Sequence, residues 1–125
     1  MELNEYQKRA MATCMSSCDN VSYMLLNLAA EVGEFAGKVA KARRRDEVVF
    51  SRDGDMWWNT NKIAVAEGAE KLNAELKKEA GDILWQLSGL CHVMGWELED
   101  VATGNLDKLA SRQERGVIDG NGDNR

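Results

Sequence analysis

No proline occurs in the 125 residues, so nothing interrupts a helical backbone at a fixed point, and apolar residues recur at intervals of three and four rather than two. Leu3, Tyr6, Ala10, Cys14 and Cys18 form a first stripe. Val21, Met24, Leu25, Leu28, Val32, Phe35 and Val39 form a second, with Asp19 or Asn20 positioned between them as an N-cap. The spacing predicts helices over 3–17 and 20–45. A third is expected over 62–94 through Leu72, Leu76, Ile83, Leu87, Leu90 and Met94, with Gly95 as its C′ residue, and a fourth over 97–114. The expected fold is all-α, a bundle of about four helices.

Between Arg43 and Asn61 the helical period fails. Val48-Val49-Phe50 and Met56-Trp57-Trp58 flank Arg52-Asp53-Gly54-Asp55, whose Asp-Gly pair is a hairpin signal, so residues 43–61 read as an inserted arm. Gly116, Gly120 and Gly122 make residues 116–125 a loop or flexible tail, leaving 1–115 as the helical domain. With 44% hydrophobic residues the chain can fill one core. The net charge of -5 argues against binding nucleic acid by bulk electrostatics. No apolar run approaches the roughly 20 residues of a membrane span, and the first residues, Met1 to Glu5, are polar and acidic. Three cysteines, an odd number, suit a reducing compartment. The expectation is a cytoplasmic protein that engages neither membrane nor nucleic acid.

The acidic residues are patterned. At about 100° per residue Glu31 and Glu34 border the apolar arc of the second helix, on one stripe with Asn27 and Lys38. On the third helix Glu75, Glu79, Asp82 and Gln86 follow the same kind of spacing. Antiparallel pairing would gather Glu31, Glu34, Glu79 and Asp82 around one small volume. Two carboxylates about 4 Å apart repel by roughly 4 kcal/mol at an effective dielectric of 20, so such a cluster calls for cations or protons. Oxygen-only donors suit Mg²⁺, or Mn²⁺ in its place, and these ions commonly bridge carboxylates to substrate phosphates. The competing reading is of solvated helix faces with Lys38, Lys77 and Lys78 as partners.

Glu31-Val-Gly-Glu34 followed by Lys77-Lys78-Glu79-Ala-Gly-Asp82-Ile-Leu-Trp85 resembles the paired ExxE and ExxD signature of the MazG-like nucleoside triphosphate pyrophosphohydrolases. Leu3-Asn-Glu-Tyr-Gln7 is similar to that family's opening helix, and Asn105-Leu-Asp-Lys108-Leu-Ala-Ser-Arg112 with Arg115-Gly116 to its closing one. The resemblance implies an all-α, Mg²⁺-dependent enzyme, a homodimer or homotetramer, that converts a nucleoside triphosphate to the monophosphate and pyrophosphate. It assigns Glu31, Glu34, Glu79 and Asp82 as metal ligands and Lys108, then Asn105, as phosphate contacts. The long interval filled by residues 43–61 departs from compact members and bears on substrate preference and assembly.

Other residues carry two readings each. Arg112 and Arg115 either bind phosphate or complement the end of the helix dipole, as Arg43 to Arg45 do. Lys38 either binds phosphate or pairs with Glu34 four residues earlier. Trp57, Trp58 and Trp85 offer faces for a nucleobase, with burial in a core or subunit interface as the commoner use. Arg125 either reaches a phosphate or belongs to a loose terminus. Cys14, Cys18, Cys91 and His92 invite a zinc reading, but the adjacent side chains of Cys91 and His92 diverge on a helix and the Cys14–Cys18 pair already fits the first apolar stripe. The overall expectation is a pyrophosphohydrolase of nucleotide-pool cleansing or control, with Glu34 as general base. The rivals are the same fold acting on an alarmone or modified nucleotide, and a non-enzymatic helical interaction module.

Overall fold

The computed structural model describes residues 1–62 and 65–125, Val65 by its backbone alone. Among them are four α-helices, α1 (Leu3–Met11), α2 (Val21–Arg44), α3 (Val65–Val93) and α4 (Leu98–Glu114), a 3₁₀ turn at Ser16–Cys18, and two short strands, β1 (Val48–Phe50) and β2 (Met56–Trp58). The all-α class is as the periodicity predicts. No helix among the described residues is long and apolar enough to cross a membrane. The predicted start of the third helix covers Ile63 and Ala64, which lie outside the described residues.

The chain divides into two compact units, residues 22–87 and residues 1–21 with 88–125. In the first, Ala42 of α2, Val48 of β1 and Leu72 of α3 form a buried cluster, with Trp58 and Leu76 packed against it. The arm is an antiparallel hairpin in which Val48 pairs with Trp58 and Val49 with Trp57. Strand alternation sends the first pair to the core and leaves Val49 and Trp57 in solvent. The turn is a three-residue loop: Gly54 N–H donates to Ser51 O at 3.1 Å and Ser51 N–H to Asp55 O at 2.7 Å. Gly54 sits at φ 91°, the left-handed position that the Asp-Gly signal anticipates.

Three helices end in the same way. At Gly95, φ 76°, Trp96 N–H reaches back to Cys91 O and Gly95 N–H to His92 O, and Gly116 closes α4 likewise on Arg112 and Gln113. Asp46 takes the glycine position after α2 at φ 55°, with Glu47 N–H on Ala42 O and Asp46 N–H on Arg43 O. Asp tolerates this conformation better than most residues, and the reversal turns the chain directly into β1.

In the second unit the first helix is shorter than its apolar stripe suggests, ending at Met11 rather than at 17. The Thr13 hydroxyl donates to Ala10 O at 2.7 Å, and the Thr-Cys-Met-Ser-Ser run that follows has low helix propensity. What α1 does instead is cap α4. Glu97 at the start of α4 makes no side-chain cap of its own. Gln7 Oε1 accepts from Leu98 N–H and Asn4 Oδ1 from Glu99 N–H, each at 3.0 Å. Buried Gln7 also donates from Nε2 to Trp96 O at 3.0 Å and Ser88 O at 3.3 Å. The resemblance in Leu3-Asn-Glu-Tyr-Gln7 thus has a structural content: two polar side chains satisfy the orphan amides of another helix.

Candidate functional site

Within the unit of residues 22–87, Glu31 and Asp82 come together, Lys38 meets Glu79, and Ala42 packs with Leu72. Residue numbers fall along α3 as they rise along α2, so the two helices run antiparallel, as carboxylate pairing requires. One oxygen each from Glu31, Glu79 and Asp82 lies within 4.8 Å of the others. Glu79 is buried, Glu31 half-buried and Asp82 exposed, which leaves the group open on one side. Glu34, the fourth expected ligand, stands exposed outside this trio. It is nonetheless close enough to act on Glu31 through its charge.

The electrostatics are those of crowded acids. Burial raises the Glu31 carboxyl above its ordinary value of 4.5, and the charges of Glu34, Asp82 and Glu79 push the same way. Asn27 opposes them, donating from Nδ2 to Glu31 Oε1 at 3.0 Å. Lys38 Nζ lies 3.3 Å from Glu79 Oε1, so its partner is the α3 carboxylate rather than Glu34. One ammonium against this many carboxylates leaves negative charge uncompensated. The donor set fits a hard divalent cation: all oxygen, three carboxylates on two helices, one face exposed for water or phosphate.

The other expected phosphate contacts lie in the second unit. Asn105 is exposed on α4. Lys108 Nζ and Arg112 Nη2 converge on one oxygen of Asp123, at 3.5 Å and 3.1 Å. Arg112 is buried, and its guanidinium also donates to the backbone oxygens of Gly122 and Asp123, while its Nε has no hydrogen-bond partner. Arg115 donates to the backbone oxygen of Arg125 at 2.7 Å. Arg125 itself donates to the carbonyls of Val117, Gly122 and Ile118. Residues 116–125 therefore form a loop pinned to α4, and α4's cations hold a carboxylate of their own chain.

That pinning is expected to depend on pH. The Arg112 hydrogen bond first, then the Lys108 charge, holds the Asp123 carboxyl below its ordinary 3.8. A lowered carboxyl stabilises the docked loop above the ordinary value and loses this contribution as pH falls through the lowered one. Limited proteolysis should find residues 118–125 protected at pH 7. Asp123→Ala at pH 7 should open them to cleavage with the helical circular dichroism unchanged.

The tryptophans divide by role. Trp57 is 59% exposed, whereas Trp58 packs on the Ala42–Val48–Leu72 cluster. Trp58 also borders two cavities of residues 22–87. One, of about 330 Å³, lies against Met56, Asn73 and Leu76; the other, of about 250 Å³, lies against Lys38, Lys41, Arg45 and Lys71. Helical periodicity could not locate these cavities, since both depend on where the hairpin folds back. Cys14, Cys18 and Cys91 are free thiols.

Residues 20–117 match the MazG nucleotide pyrophosphohydrolase domain, a stretch that contains all four acidic motif positions. The chain is also 35% identical, over the whole length of both, to a curated relative described as "Gene 37 protein" of Mycobacterium phage L5. No solved structure matches. With the family match spanning most of the chain and the paired carboxylates brought together on two antiparallel helices, the protein belongs to the MazG nucleotide pyrophosphohydrolase family.

Proposed function

We propose that the protein is a divalent-metal-dependent nucleoside triphosphate pyrophosphohydrolase that releases pyrophosphate and the monophosphate. The observation that carries this reading is the convergence of Glu31, Glu79 and Asp82 beside Lys38 in a chain of this family. Glu31, Glu79 and Asp82 would hold Mg²⁺, or Mn²⁺ in its place, which when bound supplies neutralisation of phosphate charge and a water of lowered pKa. Lys38 offsets negative charge at the edge of the group, and Asn27 orients the Glu31 carboxylate. Glu34, free of the trio, is the acid left to accept the proton of attacking water. Lys108 and Asn105 are substrate contacts on the family resemblance, and Arg112 and Arg115, near the end of the same helix, are further candidates. For Lys108 and Arg112 the Asp123 carboxylate is the competitor a phosphate must displace.

The test is pyrophosphate release from a panel of ribo- and deoxynucleoside triphosphates, an alarmone and modified nucleotides, each with Mg²⁺ and with chelator. Mg²⁺-dependent release from at least one triphosphate is expected. Turnover confined to the alarmone or the modified nucleotides would move the assignment to that substrate class, and no turnover of any would leave a helical interaction module. Nucleotide-pool control in the cytoplasm is the setting that goes with the activity.

The same reading includes a homodimer or homotetramer. Along one face of α2, Leu25 and Val32 are 55% and 50% exposed, and Leu84 and Leu87 of α3 are also exposed. Large apolar side chains left in solvent on amphipathic helices suit a subunit interface. The double variant Leu25→Glu, Val32→Glu should be monomeric by light scattering at micromolar concentration where the wild type is not, and a monomeric wild type would refute the assembly. Deleting residues 47–59 is a poorer probe, because it removes fully buried Val48 from the core, whose burial contributes about 1.5–3 kcal/mol.

A further inference from the structure

Three cations of residues 22–87 have no use in the metal site. Lys41 in the last turn of α2, Arg45 just past its end and Lys71 on α3 line the cavity of about 250 Å³ with Lys38, and Trp58 of the hairpin walls it. Against these four positive charges the cavity carries two negative ones, Glu47 and Glu75. Neither acid is ion-paired: among the described residues the ion pairs of this unit are Lys38 with Glu79 and Arg43 with Asp46. Lys41, Arg45 and Lys71 thus face a common space with their charge uncommitted. Lysine and arginine at a helix C-terminus are explained by its dipole, which accounts for Lys41 and Arg45. The dipole does not explain Lys71, which lies in the N-terminal half of α3 and beyond its first turn. Two helices bring cations to one cavity from opposite ends of their dipoles.

The position of the cavity matters as much as its charge. Lys38 belongs to both sites, lining the cavity while its Nζ lies 3.3 Å from Glu79 of the carboxylate trio. Glu75, on the cavity wall, is one helical turn from Glu79. The groove between α2 and α3 therefore runs from an acidic end that suits a divalent cation to a basic end that suits an anion. At about 250 Å³ the cavity is smaller than the roughly 300–1,000 Å³ that takes a whole ligand, so it fits one portion of a molecule whose remainder lies outside it.

We propose that Lys38, Lys41, Arg45 and Lys71 form a polyphosphate pocket that holds the outer phosphates of the substrate, and the pyrophosphate product, beside the carboxylate trio. This rests on the nucleoside triphosphate reading for its biological ligand, while its physical content is the binding of a polyphosphate anion. Charge-assisted hydrogen bonds from several cations reward a chain of phosphates over a single one, so the pocket selects triphosphates over monophosphates. Glu47 and Glu75 keep its field moderate, which favours release of pyrophosphate after cleavage.

The probe is inorganic tripolyphosphate, titrated calorimetrically in chelator so that no cation on the trio contributes. The wild type should bind it saturably, and inorganic monophosphate at least tenfold more weakly. The triple variant Lys41→Ala, Arg45→Ala, Lys71→Ala changes exposed side chains and should lose at least tenfold in tripolyphosphate affinity while Mn²⁺ affinity, measured separately, stays within twofold. Glu47→Gln removes an opposing charge and should tighten tripolyphosphate binding several-fold, a gain that misfolding cannot mimic. Absence of tripolyphosphate binding by the wild type, or equal affinity in the triple variant, overturns the pocket even if nucleotides are hydrolysed. Binding that behaves as described with no nucleotide hydrolysed keeps the pocket and removes the enzyme.

Discussion

Asp82→Asn and Glu31→Gln should each abolish Mg²⁺-dependent turnover, by roughly 10³-fold or more, because a metal-ligand carboxylate contributes several kcal/mol to transition-state charge stabilisation. Both should also lose Mn²⁺ binding in calorimetry, since each supplies one of three oxygens lying within 4.8 Å of one another. Glu34→Gln separates ligand from base: Mn²⁺ affinity should hold while turnover falls by roughly 10²–10⁴-fold. Turnover within about threefold of wild type in Asp82→Asn at saturating Mg²⁺ would remove the trio from the chemistry. The stability of the metal-free protein should move the other way. Glu31 is raised above its ordinary value, first by burial and then by its acidic neighbours, so ionising it opposes folding. That penalty is present above the raised value and is relieved as pH falls below it. In chelator at pH 7, Glu31→Gln should therefore melt above the wild type, and the difference should shrink toward zero on acidification through the carboxylate range. Gln keeps an oxygen for the Asn27 hydrogen bond, so the gain reads the charge alone.

Gln7→Ala is expected to be the most destabilising substitution among the polar residues, by about 2–4 kcal/mol, with no direct effect on the metal site. The buried amide makes three hydrogen bonds at once, from Leu98 N–H and to the carbonyls of Trp96 and Ser88. Truncation leaves Leu98 N–H and Ser88 O buried without this partner, where each unsatisfied polar atom costs about 1–3 kcal/mol, and removes a cap of α4. Asn4→Ala, which removes one such acceptor at a half-buried position, should cost about 1 kcal/mol. Urea denaturation of the two variants side by side checks the ordering. A Gln7→Ala loss no larger than that of Asn4→Ala would refute the capping role of the amide.

Helical periodicity carries most of the secondary structure because it is local: α2, α3 and α4 depend on residues three and four apart, and the Schellman ends at Gly95 and Gly116 depend on one left-handed residue each. The hairpin was legible for the same reason, through Asp53-Gly54 between two apolar runs. The first helix was overread because its apolar stripe continues past the point where Thr13 turns its hydroxyl back on the chain.

The carboxylate trio was legible as soon as Glu31, Glu79 and Asp82 were placed on packing edges, since antiparallel pairing of two amphipathic helices leaves few ways to arrange those edges. Its membership was not: spacing puts Glu34 on the same stripe and its charge is felt at Glu31, but its oxygens are not among those lying within 4.8 Å of one another, a matter of side-chain direction that spacing does not contain. The other pairings of residues far apart in the chain were left to the tertiary structure. Lys38 chose Glu79 over Glu34. Gln7 capped a helix that begins at Leu98. Asp123 folded back onto Lys108 and Arg112, and the hairpin closed a basic cavity over Lys71. A polar side chain has several partners of comparable worth within reach of any local pattern, and only the packing of the apolar faces decides which of them arrives.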